Sequence, residues 1–163
     1  MNLADDLQAL LGPTRVETSE AVKLQHSRGE SYAGGVLPDV VVFPQTTAEV
    51  AKLLAYATEH RVPVTPVAAN SSLEGQTVPV KGGISLDLTH MARVMELRPQ
   101  DLLAVVQPGV TYPQLNDQLR HHGLFFPIDP GAPASIGGMV STNASATAAV
   151  RYGTPRDYVL ALE

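Results

Sequence analysis

The chain of 163 residues contains no cysteine, which removes disulfides, thiolate nucleophiles and cysteine-ligated metals from consideration. No apolar run reaches the length of a membrane span, and Met1 to Leu11 carries two Asp and no Lys or Arg, unlike a secretory signal. A soluble, cytoplasmic protein with no membrane span is the expectation. Positive charge is scarce as well: 11 Lys and Arg stand against 16 Asp and Glu, a net charge of -5, so no nucleic-acid partner is expected. The sequence has no G-x-G-x-x-G, no Gly-Lys-Ser/Thr and no serine nucleophile elbow, which leaves Rossmann, P-loop and Ser-His-Asp chemistry without a fingerprint. His121 and His122 are neighbours on an expected helix and point about 100° apart, so they cannot chelate together. His26, His60 and His90 stand apart in the sequence, and no metal site is expected.

What is present is ample apolar content, 44% of residues, with 13 Gly and 13 Pro to fix turns. Leu3, Leu7, Leu10 and Leu11 share one helical face, and Gly12-Pro13 stops the pattern. "SRGESYAGG" reads as loop. "DVVVFP" at 39–44 has the β-branched, proline-closed character of a buried strand. Thr46 and Glu49 have capping-box spacing ahead of Val50, Leu53, Leu54 and Ala57 at helical period. Strands are then expected at 61–67, 82–88, 92–97 and 102–109. Thr111 is positioned to cap a helix with Pro113 in its first turn, Leu115 and Leu119 on its inner face and Gly123 just past its end. A last strand is expected at 157–163. The order of elements implies an α+β architecture with two lobes meeting near residues 98–101.

Two segments carry the chemistry. "PVAANSSLEG" leaves an expected strand and presents small or polar residues in succession, which suits a nest of backbone amides for an anion such as phosphate; it also suits a plain surface loop. "DPGAPASIGGMVSTNASATAAVRYGT", residues 129–154, is nearly uncharged and could pass for a linker. The preceding Phe125-Phe126-Pro127 and the internal Ile136, Met139 and Val140 argue for a packed, ligand-lining segment instead. Gly137-Gly138 permits close approach by another backbone or by a flat ligand. Arg151 beside Tyr152 and Gly153 suits either a salt bridge at the core edge or a ligand contact.

Together, "VVFPQTTAEVAKLLAYATEHRVPVTPVAANSSLEGQTVPVKGGISLDLTHMARVMEL" and "VQPGVTYPQLNDQL…GLFFPIDPGAPASIGGMVSTNASATAAVRYGT" resemble the flavin-binding (PCMH-type) domain of the vanillyl-alcohol-oxidase superfamily. The likeness covers residues 38–163 and is similar in particular to glycolate oxidase flavoprotein subunits and D-lactate dehydrogenases. It implies a two-lobed FAD-binding domain: an N-terminal helix and loop at 1–37, a first lobe at 38–97 with its pyrophosphate loop at 67–75, and an incomplete second lobe at 98–163 with its flavin-side loop at 129–154. The resemblance places the FAD pyrophosphate on backbone amides of Ala68, Ala69, Asn70, Ser71 and Ser72. It places the flavin and ribityl chain along Pro130, Gly131, Ser135, Ile136, Gly137, Gly138, Met139, Thr142, Asn143, Ala144 and Ser145. Relatives usually carry glycine where this chain has Ala68 and Ala69, and often at Ala146; if those positions need positive φ, each methyl would cost about 1 kcal/mol or more. The first loop has no His to tether the flavin, so FAD is expected to be non-covalent. The family continues with further FAD-binding sequence and a substrate-binding cap domain. The implied activity is oxidation of a small 2-hydroxy acid, with a possible electron-acceptor subunit, and no catalytic residue is assigned in this chain. The alternative is a non-catalytic or degenerate fragment that keeps the fold and binds FAD weakly or not at all.

Overall fold

The computed structural model describes residues 2–31 and 35–163, so residues 32–34 of the expected loop at 27–35 lie outside the described residues. The chain divides into two compact units, Met1–His90 and Met91–Glu163.

The N-terminal unit opens with helix α1 (Leu3–Leu11), capped by the Asn2 side chain accepting from the Ala4 amide and closed at Gly12 with φ 93°. Next come β1 (Val16–Glu17), the six-residue helix α2 (Glu20–Gln25) and β2 (Val40–Val42). Neither β1 nor α2 was expected. Helix α3 (Thr47–His60) begins in the expected capping box: the Glu49 amide donates to the Thr46 hydroxyl while the Glu49 carboxylate accepts from the Thr46 amide. It ends on Arg61 in the left-handed region, φ 54°. Strands β3 (Val64–Val67) and β4 (Ile84–Asp87) complete a sheet of order β1-β2-β4-β3. Its β2, β4 and β3 run parallel, with Val41 and Thr65 flanking Ser85 and with Val67 opposite Asp87; β1 lies antiparallel on β2. Every residue of β2 and β4 is buried, as a sheet covered on both faces requires. One face presents Val40, Val42, Ile84 and Leu86 to Leu7 of α1 and to Leu53 and Ala57 of α3.

The C-terminal unit begins with the antiparallel pair β5 (Val94–Arg98) and β6 (Leu103–Val106), joined by a 3-10 turn at Pro99–Asp101 and by Leu102 at φ 54°. The lobe junction expected at 98–101 coincides with this hairpin turn, while the two units divide between His90 and Met91. Helix α4 (Tyr112–Leu119) is capped by Thr111 and Gln114 in a reciprocal box, and a 3-10 turn carries the chain to Gly123 at φ 69°. Leu115 is buried under α4.

Residues 129–154 are not a linker. They contain helix α5 (Ile136–Thr142), capped by Ser135, and the short α6 (Ala149–Tyr152). Ile128, Ala134 and Met139 form a core with Tyr112, Phe126, Ile136 and Ala144 packed against it. The strand expected at 157–163 is corrected. Thr154 and Asp157 form a capping box with Pro155 at the first helical position, so the segment makes a helical turn, α7 (Pro155–Tyr158), and the following residues pair with no strand. Among the described residues no helix is long and apolar enough to cross a membrane.

Candidate cofactor-binding segments

The first segment starts where β3 ends. In a parallel sheet, loops leaving the carboxyl ends of strands are where ligands bind. None of the backbone amides of residues 68–77 donates to another described residue, although β3 before them pairs with β4 and the Val78 amide after them donates to the Gly75 carbonyl. The loop holds its shape by side chains instead. Asn70 Nδ2 donates to the Arg28 carbonyl at 3.0 Å, Thr77 Oγ1 donates to Asn70 Oδ1 at 2.7 Å, and Gln76 Nε2 donates to Ser72 Oγ at 2.7 Å. Asn70 takes φ 51°, a conformation its short polar side chain tolerates. Ala68, Ala69 and Ala146 are outside the positive-φ set, so their methyl groups carry no left-handed strain. A run of unpaired amides on a small-residue loop fits an anionic group, and a dinucleotide pyrophosphate is such a group.

The second segment is different in kind. At the start of α5 the amide of Ile136 donates to the Val110 carbonyl at 2.7 Å, that of Gly137 to the Pro108 carbonyl at 2.9 Å, and that of Gly138 to Ser135 Oγ at 3.2 Å. These donors are spent within the protein. Gly137 is close to backbone, as one of its two readings allowed: a Cβ there would stand 2.6 Å from Pro108 Cβ and 2.9 Å from Pro108 O. Ser135 and Met139 are each 2% exposed, the first as cap and the second in the core, so neither side chain is presented at the surface. Thr142 Oγ1 donates back to the Gly138 carbonyl. Asn143 closes α5 at φ 46°, and its Oδ1 accepts from the Arg156 amide at 3.1 Å. Gly131 (φ 84°) donates its amide to Asp129 Oδ1 at 2.8 Å, and Pro130 lies in the same turn. The Tyr112 hydroxyl also bonds Asp129, and these two hydrogen bonds hold the Asp129 carboxyl below its ordinary range. Ala144 packs on the core while Ser145 is exposed. Among the described residues Arg151 makes no salt bridge, and its guanidinium lies over the Tyr152 ring, 5.2 Å from the centroid.

The first segment therefore brings Ala68, Ala69, Asn70, Ser71 and Ser72 together on one loop, and the second brings residues 130–145 together on and around α5.

Three histidines that looked solitary in the sequence have partners. His60 lies 4.3 Å from the Tyr56 ring and His90 4.9 Å from the Phe43 ring, centroid to centroid. His26 Nε2 meets Asp87 Oδ2 at 2.8 Å and His26 Nδ1 meets the Val22 carbonyl at 2.8 Å. Asp87 Oδ1 also accepts from the Thr89 amide and hydroxyl. Burial lowers the His26 pKa, but the hydrogen bonds to Asp87 and Val22 and the Asp87 charge together raise it above the ordinary 6.5. No short-range signal marks this pair, because its members are 61 residues apart.

Comparison with known proteins decides the family. The model of an FAD binding domain matches residues 38–163. The chain belongs to this FAD-binding family, and FAD is its cofactor. A mitochondrial D-lactate dehydrogenase [cytochrome] of Arabidopsis thaliana is 47% identical over 127 residues, covering 78% of this chain and 22% of the relative. A probable mitochondrial D-lactate dehydrogenase of Danio rerio is 42% identical over 161 residues, covering 99% of this chain and 32% of the relative. Glycolate oxidase subunit GlcD of Bacillus subtilis is 34% identical over 164 residues, covering 99% and 35%. The chain thus spans about a third or less of the length of these curated relatives. Among solved structures, alkyldihydroxyacetonephosphate synthase superposes with a TM-score of 0.86 at 24% identity, covering 95% of this chain and 31% of that one. p-Cresol methylhydroxylase superposes with a TM-score of 0.73 at 23% identity, covering 87% and 29%. The FAD-binding domain described here accordingly has the two-lobed α+β fold of vanillyl-alcohol-oxidase-type flavoproteins.

Proposed function

We propose that this FAD-binding domain serves a flavin-dependent oxidoreductase that oxidises a small 2-hydroxy acid of the glycolate or D-lactate type. The observation that carries the cofactor part of this reading is the run of unpaired backbone amides at residues 68–77. Amides of Ala68, Ala69, Asn70, Ser71 and Ser72 would hold the pyrophosphate. The backbone and side chains around Pro130, Gly131, Gly138, Thr142, Asn143 and Ser145 would take the flavin and ribityl chain. Bound flavin supplies a two-electron acceptor for the substrate α-carbon; the chain's part is to bind it, fix its orientation and keep water from it. The absence of His in residues 68–77 supports non-covalent attachment. The names of the relatives support the substrate class. A substrate-binding cap domain and an electron-acceptor subunit belong to the same proposal. The cytoplasmic expectation finds no support in the Arabidopsis and Danio relatives, both named mitochondrial, and the proposal assigns no compartment.

A second reading is a degenerate fragment with little affinity for FAD. None of Ala68, Ala69 and Ala146 has positive φ, so backbone strain at these alanines lends it no support. The test is to incubate the purified chain with FAD, desalt it, and record flavin absorbance and fluorescence. Retained flavin, or a Kd below tens of micromolar by titration, is the expected result. A colourless protein that does not bind at that concentration would sink the cofactor reading for this chain.

A further inference from the structure

Residues 26–31 precede the region matched by the family model, and 27–31 belong to the loop expected at 27–35, yet the segment lies along the cofactor loop. Arg28 supplies the carbonyl that accepts Asn70 Nδ2 at 3.0 Å, and Ser31 Oγ donates to the Leu73 carbonyl at 2.5 Å. A Cβ placed on Gly29 would stand 3.7 Å from the Gly75 Cα and 3.9 Å from the Ser72 carbonyl oxygen, so the two backbones run side by side. One end of this brace is fixed by His26. Its ring bonds Asp87, and Asp87 is the register partner of Val67, the residue immediately before the loop.

The geometry points to His26 as a positioning residue whose imidazolium latches residues 26–31 to the end of β4 and so holds the cofactor-binding loop in its binding shape. This rests on the reading of residues 68–72 as a cofactor loop. Both ring nitrogens face acceptors, the Asp87 carboxylate and the Val22 carbonyl, each at 2.8 Å. Only the doubly protonated ring can donate to both. Loss of one proton turns a bond into a contact between two lone pairs. Asp87 comes from β4, the Phe43 ring that follows β2 lies 5.8 Å away at 86°, His90 lies 4.9 Å from Phe43, and Lys23 is the basic residue in the last turn of α2. The Asp87 side chain is 9% exposed, so its charge is poorly screened toward the ring. The folded-state pKa lies above the unfolded value of 6.5, so the latch is complete below that value and is lost as pH rises through the raised one.

The test measures FAD affinity of the full chain between about pH 5.5 and about pH 9, alongside the His26 ring titration by NMR. Wild type is expected to weaken about tenfold with a midpoint equal to that of the ring, the scale of an ordinary coupling between sites. His26→Gln, which keeps one donor toward Asp87, should bind with no such midpoint. Asp87→Asn should move the midpoint down. His26→Phe should bind weakly throughout. Far-UV circular dichroism checks that each variant is folded. A second readout needs no FAD: the Asn70 side-chain amide and the backbone amides of residues 68–77 should shift with the His26 midpoint in the apo chain. Loop resonances that stay silent while His26 titrates, or variants that keep the wild-type pH slope, overturn the inference. If wild type binds no FAD, the proposed function fails, and the apo titration still decides the latch.

Discussion

Replacing Gly137 with alanine separates the two reasons a glycine can stand at the start of α5. The added Cβ would lie 2.6 Å from Pro108 Cβ, 2.9 Å from Pro108 O and 3.0 Å from Pro108 Cα. Relaxed carbon contacts are about 3.5–4.0 Å, so helix and turn must part by about 1 Å. The atoms met are backbone or ring-bound, with no flexible end to swing aside. The same movement stretches the 2.9 Å bond from the Gly137 amide to the Pro108 carbonyl. Overpacking of this kind costs about 1–3 kcal/mol and a weakened hydrogen bond about 1 more, while alanine returns about 1 kcal/mol of helix propensity. The net expectation is a loss of about 1–3 kcal/mol. At about 2–4 °C per kcal/mol for a chain of this length, that is a fall of roughly 2–12 °C in Tm. Urea unfolding without FAD gives the free energy directly. Gly131→Ala is the companion: at φ 84° with nothing within 4 Å of the added carbon, it should lose only backbone strain, about 1–2 kcal/mol. Wild-type or higher stability in Gly137→Ala apo protein would refute the backbone-packing account and return that glycine to a ligand-facing role.

Two further expectations concern the N-terminal unit. Asn70→Gly keeps the left-handed φ but removes the bonds to Arg28 and Thr77, and should lose about 1–2 kcal/mol in urea unfolding; Asn70→Ala adds about 1 kcal/mol of strain to that. Burial of Glu49 raises its pKa, but hydrogen bonds from the Gln45 and Thr46 amides and from Arg15 outweigh it and set the value below the ordinary 4.5. Its contribution is therefore present above that value and lost as pH falls through the lowered one. Glu49→Gln should flatten the stability profile in this acid window, by calorimetry, and leave the slope near neutrality unchanged.

The elements readable from sequence are those whose signals are local. Thr46 and Glu49 fix α3, Val40–Val42 carries its own strand propensity, and Thr111 with Pro113 starts α4. Helix α2 is six residues long with no side-chain cap bond, and β1 is two residues, so neither had a period to detect. Two helical segments carry mixed signals: Ile136, Met139 and Val140 have helical spacing behind Ser135 but enclose Gly137-Gly138, and the helix start at Thr154-Pro155 with Asp157 runs at once into a strand-like apolar tail. The small residues of the first loop suited both an amide nest and a plain surface loop, and the amides without a partner among the described residues favour the former. Its brace was not legible, since Asn70 reaches Arg28 across 42 residues and His26 reaches Asp87 across 61.

The unpaired amides of residues 68–77 also make the loop a thermodynamic port. A ligand that docks there displaces water alone, because no internal hydrogen bond has to break first. The gain from each new bond is the net exchange of an amide–water bond for an amide–ligand bond, and occupancy at a hundredfold Kd would add about 2.7 kcal/mol to unfolding. Heat resistance of the chain should therefore rise with cofactor concentration, and amide exchange across the loop should slow as it does.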